Sequence, residues 1–202
     1  MRLAKEGYPY LIPPLFISAI FFIIKVPLIG FLFFLLASAV GIFFRDPERK
    51  IPSGDNLILA PADGVVVEAG EEGEGEKKIS IFMRLHDVHI NRSPVTGKIK
   101  RVEHKKGRFH PAFRPEAGSE NEQNRITLIS KGRRFELTQI AGIIARRIVF
   151  SKNVDDEVKA GERIGMIEFG SRVELILPKE SSLLSRVGEK VKGGETIIGE
   201  LS

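Results

Sequence analysis

Two kinds of hydrophobic pattern divide the chain. From Leu11 to Phe44 a single charged side chain, Lys25, interrupts an otherwise apolar run, whereas beyond Phe44 short alternating stretches are separated by glycine, proline and acidic turns. The first kind predicts membrane helix, because a hydrocarbon core of about 30 Å takes roughly 20 apolar residues as helix. Val26 to Phe44 meets that length alone, and Leu15 to Ile24 is shorter and follows Pro13-Pro14. Two arrangements stay open: a tight helical hairpin turning at Lys25-Val26-Pro27, or one spanning helix with an interfacial segment. A buried soluble helix is the plain alternative. No small-residue cleavage site follows the run, which argues against a signal peptide.

The second kind of pattern predicts strands. Ala60-Pro61-Ala62-Asp63-Gly64 is a turn that opens a strand at Val65 to Val67, and Gly70 to Glu76 is a surface loop. Lys78 to Leu85 alternates as a strand that ends in the segment His86 to Pro94, and Val95 to Glu103 reads as the next. Lys105 to Ser119 is a basic, proline-bearing loop of a length that is usually functional or mobile. Arg125 to Ser130 and Arg133 to Gln139 form a hairpin around Lys131-Gly132, and Ile140 to Phe150 suits strand or helix. A weak repeat relates Glu157 to Gly165 with Lys190 to Gly199, each a hydrophobic residue, a glycine turn and a returning strand. That is the pattern of flattened β-barrels carrying biotin or lipoate. The expected fold is mostly β, a barrel-sandwich domain over 45–202 behind a membrane segment over 1–44.

Charge narrows the partners. The net charge is +5, and the first 44 residues hold three basic and one acidic side chain, so the remainder carries only +3. Nucleic acid is not indicated. A mildly basic domain tethered beside an anionic leaflet is held against it, each nearby Lys or Arg contributing about 1 kcal/mol. Arg2 and Lys5 precede the apolar run and Arg45, Arg49 and Lys50 follow it, so a hairpin would keep both ends cytoplasmic. Without cysteine there are no disulfides, thiolate metal sites or cysteine nucleophiles.

The candidate chemistry lies where a strand pattern is broken. Met166 to Phe169 and Val173 to Leu177 read as strand on either side of Gly170-Ser171. The pair puts a hydroxyl one bond from an acyl group that no side chain shields, as an internal N-to-O acyl shift requires. Alone, most Gly-Ser pairs are turns. Asp63 before Gly64 is alone a common turn residue. His86 and His89 lie three apart at a strand end, a spacing that can hold zinc, but no third ligand is evident, so no metal is expected. His104 and His110 sit among Lys105, Lys106 and Arg108 as surface residues, and Arg146-Arg147 suits a solvated face.

In order, FFRDPER (Phe43 to Arg49), APADG, HDVHINRSP, ENEQN (Glu120 to Asn124) and GMIEFGSR resemble the short form of the phosphatidylserine decarboxylases, almost to the end of the chain. Larger relatives usually have Gly-Ser-Thr or Gly-Ser-Ser where this chain has Gly-Ser-Arg172, and they place proline closer behind the histidine pair. The resemblance implies a proenzyme that cuts itself between Gly170 and Ser171, leaving a large chain 1–170 and a small chain 171–202 that begins with a pyruvoyl group derived from Ser171. It implies His89 as the base, Asp63 as the carboxylate orienting it, and His86 or His89 as proton donor in turnover. A serine hydroxyl needs such a base, and histidine is suited to the task near neutral pH. The pyruvoyl ketone is implied to form a Schiff base with the serine amine of a phospholipid and to accept the electron pair left by carbon dioxide. The implied product is the ethanolamine phospholipid, made at the cytoplasmic side of the cell membrane by a heterodimer of the two chains. Phosphatidylserine and archaetidylserine, sharing a headgroup, both fit.

Two other classes compete. A tethered carrier without catalysis would suit the repeat and the anchor, but the lysine of such carriers sits in a tight turn usually flanked by methionine, and none is present. Self-cleavage for regulation alone would give two chains without lipid decarboxylation.

Overall fold

The computed structural model of the chain describes residues 2–73, 75–114, 116–143, 147–168 and 171–202. Its contacts divide it into two compact units, Met1–Glu48 and Arg49–Ser202.

In the first unit β1 (Arg2–Leu3) pairs with β2 (Arg45–Asp46), and between them run α1 (Tyr8–Ile23) and α2 (Pro27–Phe43). The helix α1 passes through Pro13 and Pro14 instead of starting after them, so the segment expected to be short is the longer one. Together with a 3-10 turn at its start it makes 19 helical residues, Lys5–Ile23, against 17 in α2. The prolines delete only the bonds to the carbonyls of Pro9 and Tyr10 near the helix start, and an apolar stretch offers its backbone no better partners than the rest of the ladder. At the end of α1 the Val26 amide reaches the Phe21 carbonyl (2.9 Å) and the Lys25 amide that of Phe22 (3.2 Å), with Lys25 left-handed at φ 61°. This is a Schellman ending. Pro27 then opens α2, which packs back on α1 through the Ser18 hydroxyl on the Gly30 carbonyl (2.8 Å) and the stacked rings of Phe21 and Phe33. Phe16, Ile23 and Leu28 remain 66, 78 and 71% exposed, an apolar surface that water does not favour.

The second unit is mostly antiparallel β. Seven strands come from one continuous stretch: β6 (Ile90–Arg92), β7 (Gly97–Lys105), β8 (Gln123–Ser130), β9 (Arg133–Ile140), β10 (Ile148–Phe150), β11 (Glu157–Val158) and β12 (Arg163–Ile167). The other seven flank it in sequence: β3 (Leu57–Leu59), β4 (Gly64–Glu72) and β5 (Glu76–Met83) before, then β13 (Ser171–Leu177), β14 (Ser181–Leu183), β15 (Lys190–Val191) and β16 (Ile197–Leu201) after. A short helix, α3 (Ala117–Glu120), sits in the loop between β7 and β8. The eight-stranded sheet runs β11-β7-β8-β9-β13-β5-β4-β15, and two three-stranded sheets run β10-β12-β6 and β14-β16-β3.

That order reads the same from both ends, so the unit is two topological copies of one motif, the second inserted into the first between β5 and β13. The backbone repeats the equivalence in detail. The Leu59 amide bonds to the Pro94 carbonyl (2.9 Å) and the Arg92 amide to that of Pro61 (2.8 Å). Gly194 bonds to the Ala60 carbonyl (2.9 Å) as Gly161 does to that of Ser93 (2.8 Å). Gly161 and Gly194 both turn the chain at positive φ, 75° and 77°, and an added Cβ on Gly194 would lie 3.4 Å from Gly161. The weak repeat in the sequence is the visible tip of this duplication. The ambiguous stretch from Ile140 is strand at its described ends, within β9 and β10, and Arg146 lies outside the described residues.

Alternation along the strands separates two faces. Val173, Leu175 and Leu177 of β13 enter the core with Ile79, Ile81, Leu128, Phe135 and Leu137, while Arg172, Glu174 and Ile176 face the other side.

Candidate active site

Two ladders clamp the same short gap. Ser171, first residue of β13, is opposite Met83, last of β5, and Met166 of β12 is opposite Ile90 of β6. The loop 84–89 joins β5 to β6, the strands that pair with β13 and β12, and the Ile167 amide bonds to the His89 carbonyl (3.3 Å). The strands that flank the loop meet the turn of Asp63. An added Cβ on Gly64 would lie 2.3 Å from the Phe82 carbonyl, and Pro61 accepts from Arg92. The structure thus places the Asp63 turn beside β5 and β6, the strands on either side of the loop that carries His86 and His89. Gly170, the other half of the predicted cleavage pair, lies outside the described residues, as does Phe169.

Ser171 is fully buried, and among the described residues its hydroxyl has no hydrogen-bond partner. A buried hydroxyl without a partner costs about 1–3 kcal/mol, a cost that a purely structural position would shed by substitution. His89 is also fully buried, and its Nδ1 lies 2.9 Å from the Asp87 carbonyl. A carbonyl only accepts, so Nδ1 carries the proton and the lone pair of the neutral ring is on Nε2. His86 is at the surface, its side chain 71% exposed, with Nε2 3.7 Å from the Asp87 carboxylate.

Asp87 organises this loop. Its carboxylate accepts from the Arg84 amide (2.8 Å) and from Arg84 Nε (3.2 Å), closing the turn whose carbonyl then aims at His89. Sequence reading did not single it out, although an Asp three residues after the residue it caps is a local turn signal.

Asp63 is bound elsewhere. Both its carboxylate oxygens accept from Arg49 (2.8 Å each), and one also takes the Gly193 amide (2.8 Å). Arg49 is nearly buried and has Glu195 3.7 Å away as a second anion. In the other copy of the motif Thr96 stands where Asp63 does, its hydroxyl taking the Ala160 amide (3.0 Å). The bond to Gly193 is therefore a property of the turn, and the carboxylate with its arginine is what only one copy has. Arg49 belongs to the FFRDPER stretch, but its partner 14 residues on was not legible locally.

The face of the sheet opposite the core holds a cavity of about 580 Å³ beside Arg172. Arg172 is nearly buried, donates to the Ser80 hydroxyl (2.5 Å) and pairs with Glu68 (3.2 Å) and Glu174, while Lys78 pairs with Glu68 (3.3 Å). The loop 106–122 covers part of this face, with Phe113 edge-on to Phe82 and with Asn121 bonded to the carbonyls of His110 (2.8 Å) and Ala141 (2.7 Å). In the ENEQN stretch, then, Asn121 is a clamp. Gln123 lines the cavity with its amide buried and unpartnered among the described residues. His104 and His110 bond to Asn124 and Glu120 respectively.

A buried imidazole and a buried hydroxyl with no partner among the described residues, at strand ends brought to one end of the sheet, make up a candidate site for an enzyme. Comparison with known proteins supplies the class. Residues 36–199 match the family model described as phosphatidylserine decarboxylase. The chain is 43% identical over 211 residues to the phosphatidylserine decarboxylase proenzyme of Syntrophus aciditrophicus, covering 98% of this chain and 96% of the relative. It is 41% identical over 198 residues to the same-named proenzyme of Solibacter usitatus, at 98 and 96% coverage. A protein of Methanosarcina mazei, provisionally named archaetidylserine decarboxylase proenzyme, is 42% identical over 207 residues, at 98 and 97% coverage. This chain belongs to the phosphatidylserine decarboxylase family.

Proposed function

We propose that the chain is a proenzyme that cleaves itself between Gly170 and Ser171 and then decarboxylates a serine phospholipid, phosphatidylserine or archaetidylserine, to the ethanolamine lipid. The observation that carries this reading is the buried hydroxyl of Ser171, without a partner among the described residues, at the paired end of β13. His89, with its lone pair on Nε2, takes the hydroxyl proton. The oxygen adds to the Gly170 carbonyl, the amide C–N bond breaks and an ester remains. Loss of the Ser171 α-proton expels the Gly170 carboxylate, and water then releases ammonia, leaving a pyruvoyl group at position 171.

The surroundings suit that group. Pyruvoyl has a methyl where serine has a hydroxymethyl, and the Ser171 side chain lies on the core face of β13 beside Met83, where a methyl incurs no unmet hydrogen bond. When formed, the group supplies an electron sink for the loss of carbon dioxide. The chain's own residues position the lipid amine and return a proton, a task for His86 at the surface or His89 within. Asp63, fixed by Arg49, sets the electrostatics of the adjoining turn and the orientation of the loop. The small chain 171–202 contributes β13 to β16, of which β13, β15 and β16 pair with β9, β5, β4 and β3 of the large chain, so the two stay together as a heterodimer. The two copies of the motif together form a flattened barrel of the biotinyl/lipoyl kind. The helices α1 and α2 form a membrane hairpin that keeps the catalytic unit at the cytoplasmic face of the cell membrane, supported by their length and exposed apolar side chains.

An intact mass spectrum under denaturing conditions tests the reading. The expected result is a fragment of residues 171–202, lighter than the encoded peptide by one ammonia and reactive toward a carbonyl reagent. A single uncut chain from a native preparation would overturn it.

A further inference from the structure

Three separate loops leave the sheet at the end where Ser171 lies, and each carries an exposed apolar side chain and, within about four positions in sequence, an arginine. Leu85 lies just beyond Met83, the partner of Ser171, and is 57% exposed. Ile143 lies just beyond Ile140, the partner of Arg172, and is 54% exposed. Phe113 reaches the same end through its contact with Phe82, opposite Arg172, and is 63% exposed. Their arginines are Arg84, Arg147 and Arg114, the last two exposed and the first partly so, shared with Asp87. The opposite end of β8 and β9 ends differently, in the tight turn at Lys131-Gly132.

We infer that Leu85, Phe113 and Ile143 form a rim that inserts into an anionic bilayer surface around the mouth of the site. The inference rests on the lipid substrate proposed above. Apolar tips interleaved with arginines are the chemistry of an interfacial contact, the tips entering the acyl boundary and the cations meeting lipid phosphates. A decarboxylase acting on a lipid headgroup must bring its reacting atom to headgroup depth, and the three loops surround the strand end that carries it. The contact is additional to any anchoring by the N-terminal helices, so membrane retention is not its readout.

The chain has no cysteine, so one dye can be placed at will. Full-length Leu85→Cys, Ile143→Cys and Lys131→Cys proteins, each carrying an environment-sensitive fluorophore, are reconstituted in vesicles of phosphatidylcholine and phosphatidylglycerol with brominated acyl chains. The dyes at 85 and 143 should shift blue and be quenched at least about twofold, and the dye at 131 should not. Equal behaviour at all three positions would sink the inference, whether or not the protein turns over lipid. A second arm uses Leu85→Ser/Ile143→Ser, which leaves Phe113 on Phe82. It should process itself normally, lose about tenfold in kcat/KM on phosphatidylserine in vesicles, and keep its rate on monomeric dihexanoyl phosphatidylserine. Equal loss on both substrates would assign the two residues to the fold or the headgroup site instead. Wild-type protein inactive on both substrates while the rim dyes insert would count against the proposed substrate and leave the rim standing.

Discussion

The two copies of the motif in the second unit differ most at one corresponding place. In the inserted copy β8 and β9 are joined by Lys131 and Gly132, both at positive φ (49° and 75°), the type I′ turn whose twist matches an antiparallel pair. In the other copy the corresponding strands, β5 and β13, are held in the same kind of ladder, with Ser171 opposite Met83 as Arg133 is opposite Ser130. The turn is missing, and the whole inserted copy leaves and returns there. A relaxed hairpin end is inert. An opened one delivers two chain crossings to one end of the sheet, where the His89 carbonyl accepts from the Ile167 amide at the end of β12. A cut before Ser171 also removes no residue from the sheet, because β13 begins after it.

The same comparison ranks the tests. Replacing the hydroxyl should have the largest effect: Ser171→Ala is expected to remain one uncut chain on a denaturing gel with no detectable decarboxylation, yet to melt no lower than wild-type precursor, since the hydroxyl lost is buried and has no partner among the described residues. Processing by Ser171→Ala would break the reading outright. His89→Gln retains an amide able to face the Asp87 carbonyl but no base. Its self-cleavage, followed by the appearance of the small chain, should slow by about 10²–10⁴-fold.

The Asp63 and Thr96 turns sharpen the comparison. Asp63→Thr alone strands the nearly buried Arg49, so the informative protein is Arg49→Met/Asp63→Thr, which gives one copy the turn chemistry of the other. It should fold and keep its bond to Gly193, with processing slowed roughly ten- to a hundredfold as the site loses its fixed charges. Thr96→Ala, by contrast, should lose about 1 kcal/mol of stability and process at the normal rate. Equal effects on processing would erase the distinction between the two turns.

The smallest effect concerns the acids that follow the two glycine turns. Glu195 meets Arg49 and the Lys50 amide, whereas Glu162 in the other copy meets Lys152 and the Lys159 amide. The hydrogen bond from Lys152 holds the Glu162 carboxyl below the usual glutamate value. A lowered folded-state value means stability that is present above the unfolded pKa and lost as pH falls through the folded one. Glu162→Gln should therefore melt at most about 3 °C below wild type at neutral pH, the gap closing under strongly acidic conditions. A gap that widened in acid would reverse the assignment.

Local pattern carried much of this molecule. Alternation and turn residues were enough for the strands around Lys131-Gly132, because a hairpin turn and its flanking strands are encoded within a few residues of one another. The apolar run announced its helices, but not that α1 would pass through Pro13 and Pro14, since the cost of a proline depends on where the helix begins. The residues offered for chemistry, Asp63, His86, His89 and Ser171, were named by motif, and the tertiary structure added their surroundings. It paired Asp63 with Arg49, made Asp87 the support of His89, and placed Arg172 and Gln123 on a covered cavity.

The sequence by itself determined the mostly β character of the second unit, the apolar N-terminal segment and the motifs that mark the family, all of which rest on side chains close in the chain. Only the tertiary structure decided that β5 pairs with β13, that the weak repeat is one part of a whole duplicated motif, and that Ser171, proposed to react, begins a strand where a hairpin was opened. Those are matters of register between strands far apart in sequence. Register is set when a common core is buried, and no local stretch contains it.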